Sequence, residues 1–515
     1  MTFTRTSGVL LHISSLHTNF GIGDLGKCAY DFIDFLKEGQ QTIWQILPIN
    51  PTSFGDSPYS CFSSFAGNPL FICPDMLVEQ GFCKPEDIAH DIIFPESIVD
   101  YGLVINLKTR ILRAAHKNGA HNDCEKFLSF KRKNSKWLND YSLFMALKEY
   151  FIKERAGLPN DTTHSDDYFY GAVWQTWPQY IAARKSDAIQ WYKDILAEEI
   201  DYHNFLQFLF YEQYADLKAY AGQNGIKIMG DLPIFAAYDS ADCWANKKLF
   251  KLDLSTGKPT AVAGVPPDYF AKNGQLWGNP LYNWEAIKMT GYRWWIARIK
   301  AAMECFDILR FDHFRGFESY WAIPYGEKTA KNGKWLPGPG RGLFDAIKKE
   351  LGDLPLVAED LGIITPAVEK LLNALGLPGM KVLQFAFDTR PENTHLPHNF
   401  KTDNMVVYTG THDNDTTQGW YNTAPEAWRD HFRRYLNSSG QNAADDLTRA
   451  AFLSIAKIAL IPAQDLLGLD SPHRTNTPGI PSGNWQFRLA KNQLTNHHAQ
   501  NLAYLSKLSN RNLSS

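Results

Sequence analysis

Short apolar runs that break off abruptly into polar residues recur eight times along the chain, at 8–13, 42–47, 226–231, 306–312, 354–359, 380–385, 405–411 and 465–469. Runs of this kind, rich in β-branched residues, read as parallel strands buried on both faces. Helical patterns lie between most of them, for example at 31–38, 294–303, 367–375 and 445–458. Strand alternating with helix implies a parallel sheet with crossovers, and eight such units imply a sheet that closes on itself. The chain therefore reads as α/β, a (β/α)8 TIM barrel with large insertions between strands. About 180 residues separate the second and third runs, far more than one crossover helix needs. The organisation expected is a single barrel over residues 1–515, with a mostly helical insertion at about 70–200 and a loop-rich one at about 238–292.

In such a barrel the chemistry sits where strands exit toward the following helices. Four runs lead into an acid there: Gly230-Asp231, Arg310-Phe311-Asp312-His313, Ala358-Glu359-Asp360 and Thr411-His412-Asp413-Asn414-Asp415. Residues two apart on a strand share a face, so Arg310 and Asp312 point together into the barrel mouth. An arginine beside a carboxylate favours the ionised form that a nucleophile needs. Glu359 leaves an apolar run, and desolvation there holds a proton on it, as a general acid requires near neutral pH. One ionised and one protonated carboxyl is the pair that glycoside cleavage uses, at about 5–5.5 Å when configuration is retained. Taken singly, an inward Asp near an Arg is more often a structural ion pair, and a strand-end Glu a helix-start acid. Four acids closing four different strands is the pattern that points to a site.

Charge is nearly balanced, with 52 Lys and Arg against 55 Asp and Glu. That balance gives no electrostatic reason to expect nucleic acid or an anionic membrane as partner, and it suits a neutral substrate. Aromatic residues reach 14%, and flat rings with a polar edge also suit sugar faces. The seven cysteines are scattered with no C-x-x-C pair, which argues against a zinc or redox motif and for reduced thiols. No dense oxygen-ligand loop suggests calcium. No apolar stretch approaches the roughly 18 residues of a membrane span, and the first residues lack a signal-peptide pattern. The expectation is a cytoplasmic enzyme without metal or cofactor.

At its strand-end acids the sequence resembles the α-amylase clan: Arg310-Phe-Asp312-His313, Glu359 and His412-Asp413 match three of its signature regions. Further stretches resemble the amylomaltase (4-α-glucanotransferase) branch, from Gly55-Asp-Ser-Pro-Tyr-Ser60 and Phe65-Ala-Gly-Asn-Pro69, through Gly230-Asp-Leu-Pro-Ile-Phe235, Pro266-Pro-Asp-Tyr-Phe270 and Gly274-Gln-Leu-Trp-Gly-Asn-Pro280, to the segment 476–485. The resemblance covers almost the whole chain. It implies transfer between α-1,4-glucan donors and glucose or maltooligosaccharide acceptors. It makes Asp312 the nucleophile, Glu359 the acid/base, and Asp413 with His412 the grip on the sugar being cleaved. It also implies substrate-binding roles for Ser57, Tyr59, Asp231, Gln275, Arg310, His313 and Asn476. Tyr269, Phe270 and Trp277 resemble an aromatic lid over the acceptor side. Phe54 departs from the branch, where a tyrosine is usual.

Rival readings remain at this level. Gly21-Ile-Gly-Asp-Leu-Gly26 fits a G-x-G-x-x-G dinucleotide fingerprint, but the next strand ends Leu47-Pro-Ile-Asn50 without the acid that motif needs. A glucan-binding protein on a dead barrel would not need all the acids intact. A plain α-glucan hydrolase shares every catalytic residue and differs on the acceptor side.

Overall fold

The computed structural model describes residues 3–53, 55–119, 121, 124–156, 173–267, 272–480 and 482–511. Eight parallel strands form one sheet: β1 Thr6–Leu10, β2 Ile43–Gln45, β3 Lys227–Leu232, β4 Ile308–Phe311, β5 Leu356–Ala358, β6 Gly379–Val382, β7 Met405–Tyr408 and β8 Ile458–Pro462. The strand order is β6-β7-β8-β1-β2-β3-β4-β5. Its two ends nearly meet: Ala358 N–H donates to Pro378 O at 2.9 Å, and Met380 N–H donates to Asp360 Oδ1 at 2.6 Å. The result is a barrel closed everywhere except along the β5–β6 seam. A doubly wound nucleotide-binding sheet would reverse its strand order at a switch point; this sheet runs round in chain order.

Strand alternation builds two layers. Ile43, Met229, Ile308, Val357, Met380, Val382, Val406, Tyr408, Ile458 and Leu460 fill the interior. Their neighbours, such as Trp44, Ile228, Leu309, Ala358 and Val407, face the surrounding helices and are buried there. Gly8 on β1 is required by this packing, since a Cβ there would meet the backbone oxygen of Ile43 at 2.2 Å. The inward positions above Met229 and Ile308 are Asp231 and Arg310. The alternation that fills the core thus delivers charge to the mouth.

Seven strands coincide with the apolar runs. The eighth does not: β8 is Ile458–Pro462, whereas 465–469 overlaps the end of a short helix, Ala463–Leu466. The helical pattern assigned to 445–458 is a helix only over Ala443–Leu453, and its last apolar residue opens β8. Ala and Leu are strong helix formers, so the Ile-Ala-Leu-Ile run blended into the preceding helix. Pro462 is tolerated at the strand's end, opposite Leu10.

Between β2 and β3 lie long helices, among them Tyr101–Lys117, Glu125–Ala156 and Ala197–Gln223, the last running directly into β3. Past β3, strands Ala261–Val265 and Gln275–Pro280 join Ser319–Pro324 and Lys334–Pro337, which follow β4, in a four-stranded antiparallel sheet. Gln275–Pro280 is an edge strand of that sheet. No helix among the described residues is long and apolar enough to cross a membrane.

Candidate active site

The floor of the mouth is a polar triad. Asp231 and Arg310 are register partners on β3 and β4. Their ion pair is buried, and Nη1 of Arg310 also reaches Oδ1 of Asp312 at 3.4 Å. Tyr59 donates its hydroxyl to Asp231 Oδ2 at 2.6 Å. Burial, reinforced by Asp231, pushes the Tyr59 phenol well above its ordinary value, so it remains a donor. Asp231 therefore takes the closest share of Arg310, so Arg310 does not hold the Asp312 carboxyl low as the sequence led one to expect. Burial first, and then Asp231, push the Asp312 carboxyl well above the usual range; Arg310 opposes this, and Glu359 and Asp413 add to it.

Glu359 follows β5, the neighbour of β4. Its own N–H donates to Phe311 O and its carbonyl accepts from Phe314 N–H, both at 3.0 Å. Its carboxyl is clasped by two backbone donors: His313 N–H to Oε2 at 2.7 Å and Leu361 N–H to Oε1 at 2.9 Å. His313 adopts φ +48°, a left-handed conformation uncommon for a residue with a side chain. Immediately after Asp312, it links the two acid-bearing segments. Burial raises Glu359 to about 6 against the lowering pull of Arg310 and of both N–H groups. Two half-buried, desolvated carboxyls crowded by a third cannot all ionise freely, so the cluster retains a proton into the near-neutral range.

The other wall comes from beyond β7. Asn476 donates to Asp413 Oδ1 at 2.6 Å, and His412 Nε2 lies 3.4 Å from the same oxygen. The His412 ring stacks on Tyr59 at 5.0 Å, and Trp485 completes the cluster at 5.6 Å from Tyr59 and 5.9 Å from His412. Burial lowers the pKa of His412, favouring the neutral imidazole. Ser57 accepts the backbone N–H of Tyr59 at 3.3 Å and so shapes the turn that presents that ring. Trp277 sits on the edge strand Gln275–Pro280, where the lid reading had a loop. Its indole donates to Gln275 Oε1 at 3.1 Å and meets the His313 ring edge-on at 4.9 Å. Tyr269, Phe270 and Phe54 lie outside the described residues.

Two residues of this wall were not singled out from the sequence. Trp485 ends the 476–485 segment, which marked the family without indicating which residue would face the mouth. Arg474 donates to the carbonyls of Asp413 at 3.0 Å and Asn476 at 2.9 Å, bracing the pair. Backbone contacts of this kind leave no sequence signal.

Two carboxyls leaving neighbouring strands, with a proton retained among them and aromatic faces alongside, equip a barrel to cleave glycosidic bonds. The chain belongs to the 4-alpha-glucanotransferase family, whose model matches residues 11–495, and it is a glycosyl-transferring enzyme. It is 47% identical to a 4-alpha-glucanotransferase of Synechocystis sp., over 99% of this chain and 98% of that one. It is 45% identical to one of Thermus thermophilus, over 99% and 100%. Among solved structures it resembles the amylomaltase from Streptococcus agalactiae in complex with acarbose, with TM-score 0.91 and 38% identity over 99% of this chain and 100% of that one. The fold extends to the amylomaltase from Corynebacterium glutamicum at 17% identity, with TM-score 0.75 over 99% and 75%.

Proposed function

We propose that the chain cuts a 1,4-α-D-glucan and joins the freed segment to the 4-position of an acceptor glucan or glucose, by a double displacement that retains configuration. The observation that carries this reading is the linkage of Asp312 to Glu359 through His313. It brings the segment carrying the proposed nucleophile against the one carrying the proposed proton donor, just past adjacent strands, which supports that assignment of roles.

In the first step Glu359 protonates the glycosidic oxygen while an Asp312 oxygen attacks the anomeric carbon. The C1–O bond breaks, and the leaving chain departs with a new 4-hydroxyl. In the second step Glu359 takes the proton from an acceptor 4-hydroxyl, which attacks the same carbon and releases Asp312. Both Glu359 oxygens accept backbone N–H bonds in the resting geometry. Each oxygen keeps a second lone-pair position, so the one that carries the proton toward substrate can retain its backbone partner. Asp413, held by Asn476 and flanked by His412, binds hydroxyls of the sugar under attack. Such bonds strengthen as the ring flattens toward the oxocarbenium ion. The Tyr59–Asp231–Arg310 triad fixes the floor. Trp277, with Tyr269 and Phe270 nearby in sequence, forms the acceptor side.

Transfer competes with water at roughly 55 M, so a bound, oriented acceptor must displace it. The family membership and the acarbose complex of the Streptococcus agalactiae relative support a glucan in this mouth. All seven cysteines are unpaired thiols, which supports a reducing, cytoplasmic setting. The test is incubation with maltotriose alone, following the product ladder and total reducing ends. Longer oligosaccharides and glucose at constant reducing ends are expected. Rising reducing ends without longer products would make it a hydrolase.

A further inference from the structure

Away from the barrel mouth, the helical insertion gathers two imidazoles and a carboxylate. His116 lies in the last turn of Tyr101–Lys117, His121 in the turn that follows, and Asp201 in the second turn of Ala197–Gln223. The Nε2 atoms of His116 and His121 lie 3.4 Å and 3.1 Å from the same oxygen, Asp201 Oδ2. All three ligating atoms fall within 4.8 Å of one another.

The rings are clamped. His121 stacks on Phe205 at 4.3 Å and meets the edge of Phe127 at 5.3 Å, while His116 meets Tyr202 edge-on at 5.5 Å. Lys131 occupies the other carboxylate oxygen, Oδ1, at 2.9 Å, leaving Oδ2 to the imidazoles. The His121 side chain is 2% exposed, whereas those of His116 and Asp201 keep 13% and 30%. The pocket is therefore held from within and open to solvent on one side.

We propose that His116, His121 and Asp201 form a binding site for a zinc-type transition-metal dication. Zinc takes imidazole nitrogen at about 2.0–2.1 Å and carboxylate oxygen at about 2.0–2.2 Å, in tetrahedral geometry. Those arms put neighbouring ligand atoms about 3.4 Å apart, close to the two separations observed. Two nitrogens and one oxygen leave the fourth position to water on the open side. The Lys131 charge works against the ion, so the site takes metal from solution and does not depend on it to fold. Occupancy would pin the end of one insertion helix to the helix that runs into β3.

The test uses the full chain after chelator treatment and dialysis, titrated with cobalt(II) chloride and separately with zinc sulfate. One equivalent of cobalt should develop the strong visible bands of four-coordinate N/O ligation, and zinc should raise the melting temperature. Both responses should be lost in His116→Ala and in His121→Ala, with maltotriose disproportionation unchanged. Lys131→Met should tighten binding. If an alanine variant fails to fold, Asp201→Asn reads the same loss with the side-chain shape kept. No cobalt bands and no melting shift in the unaltered chain would overturn the proposal. So would an equivalent that survives both histidine substitutions.

Discussion

The backbone N–H of His313 donates to Glu359 Oε2 at 2.7 Å, so the residue following one acid holds the carboxyl of the other. This contact, the Leu361 N–H and Arg310 all favour an ionised Glu359, yet burial outweighs them and sets it at about 6. A general acid works only while it carries its proton. Glu359 carries it below that value and loses it as pH rises through it. The expected kcat/KM profile for maltotriose transfer therefore has an alkaline limb near 6, which Glu359→Gln removes while slowing both covalent steps by about 10²–10⁴-fold. A pH-rate series on both proteins checks this. An unchanged limb in the variant would take the acid role away from Glu359.

Asp312→Asn should abolish transfer without lowering the melting temperature. The substitution removes the attacking carboxylate but also relieves crowding among Asp231, Asp312 and Glu359. Initial rates, with mass spectrometry to exclude reversion of Asn to Asp, and a thermal melt read the two effects. Substantial activity would overturn the nucleophile assignment.

Tyr59→Phe keeps the ring that stacks on His412 and deletes the hydroxyl bonded to Asp231. A hydrogen bond to a charged group contributes about 1.5–3 kcal/mol, so kcat/KM should fall roughly 10- to 100-fold. Steady-state kinetics decide it. A drop under about twofold would show that Arg310 alone fixes Asp231.

Asn476 positions Asp413 by donating to it at 2.6 Å. Asn476→Ala should weaken transfer. Asn476→Asp should weaken it more at neutral pH, because a second carboxylate then faces Asp413. The two variants should converge as pH falls and the new acid is protonated. Parallel pH series on both variants test this, and equal losses at every pH would show that the lost amide donor, not repulsion between carboxylates, accounts for the effect.

Trp277→Ala opens the acceptor side and removes the ring packed against His313. The ratio of new reducing ends to transfer products should rise, with donor cleavage less affected. A ratio unchanged from the parent would locate water exclusion elsewhere.

Most of the barrel was legible because buried parallel strands leave a strong trace: Met405–Tyr408 is an unbroken apolar run that gives way to Thr-Gly-Thr-His-Asp413. Ile458–Pro462 was lost because its Ala and Leu continue a helical composition, although the helix had already stopped at Leu453. The acids were readable one strand at a time. Their division of partners was not, since Asp231 wins Arg310 only through the β3–β4 register. The antiparallel sheet escaped notice because its pairs of strands lie on either side of β4. His116 and Asp201 are 85 residues apart, and no local spacing could bring them together.

The β5–β6 seam gives the barrel a direction of compliance. Elsewhere each strand is laced to two neighbours, but the strand bearing Glu359 is laced fully on one side only. Its free side is fastened through Asp360, the next residue in the chain. Opening of the staves there would part Asp360 from Met380, while Glu359, tied by three hydrogen bonds to residues 311–314, would stay with β4.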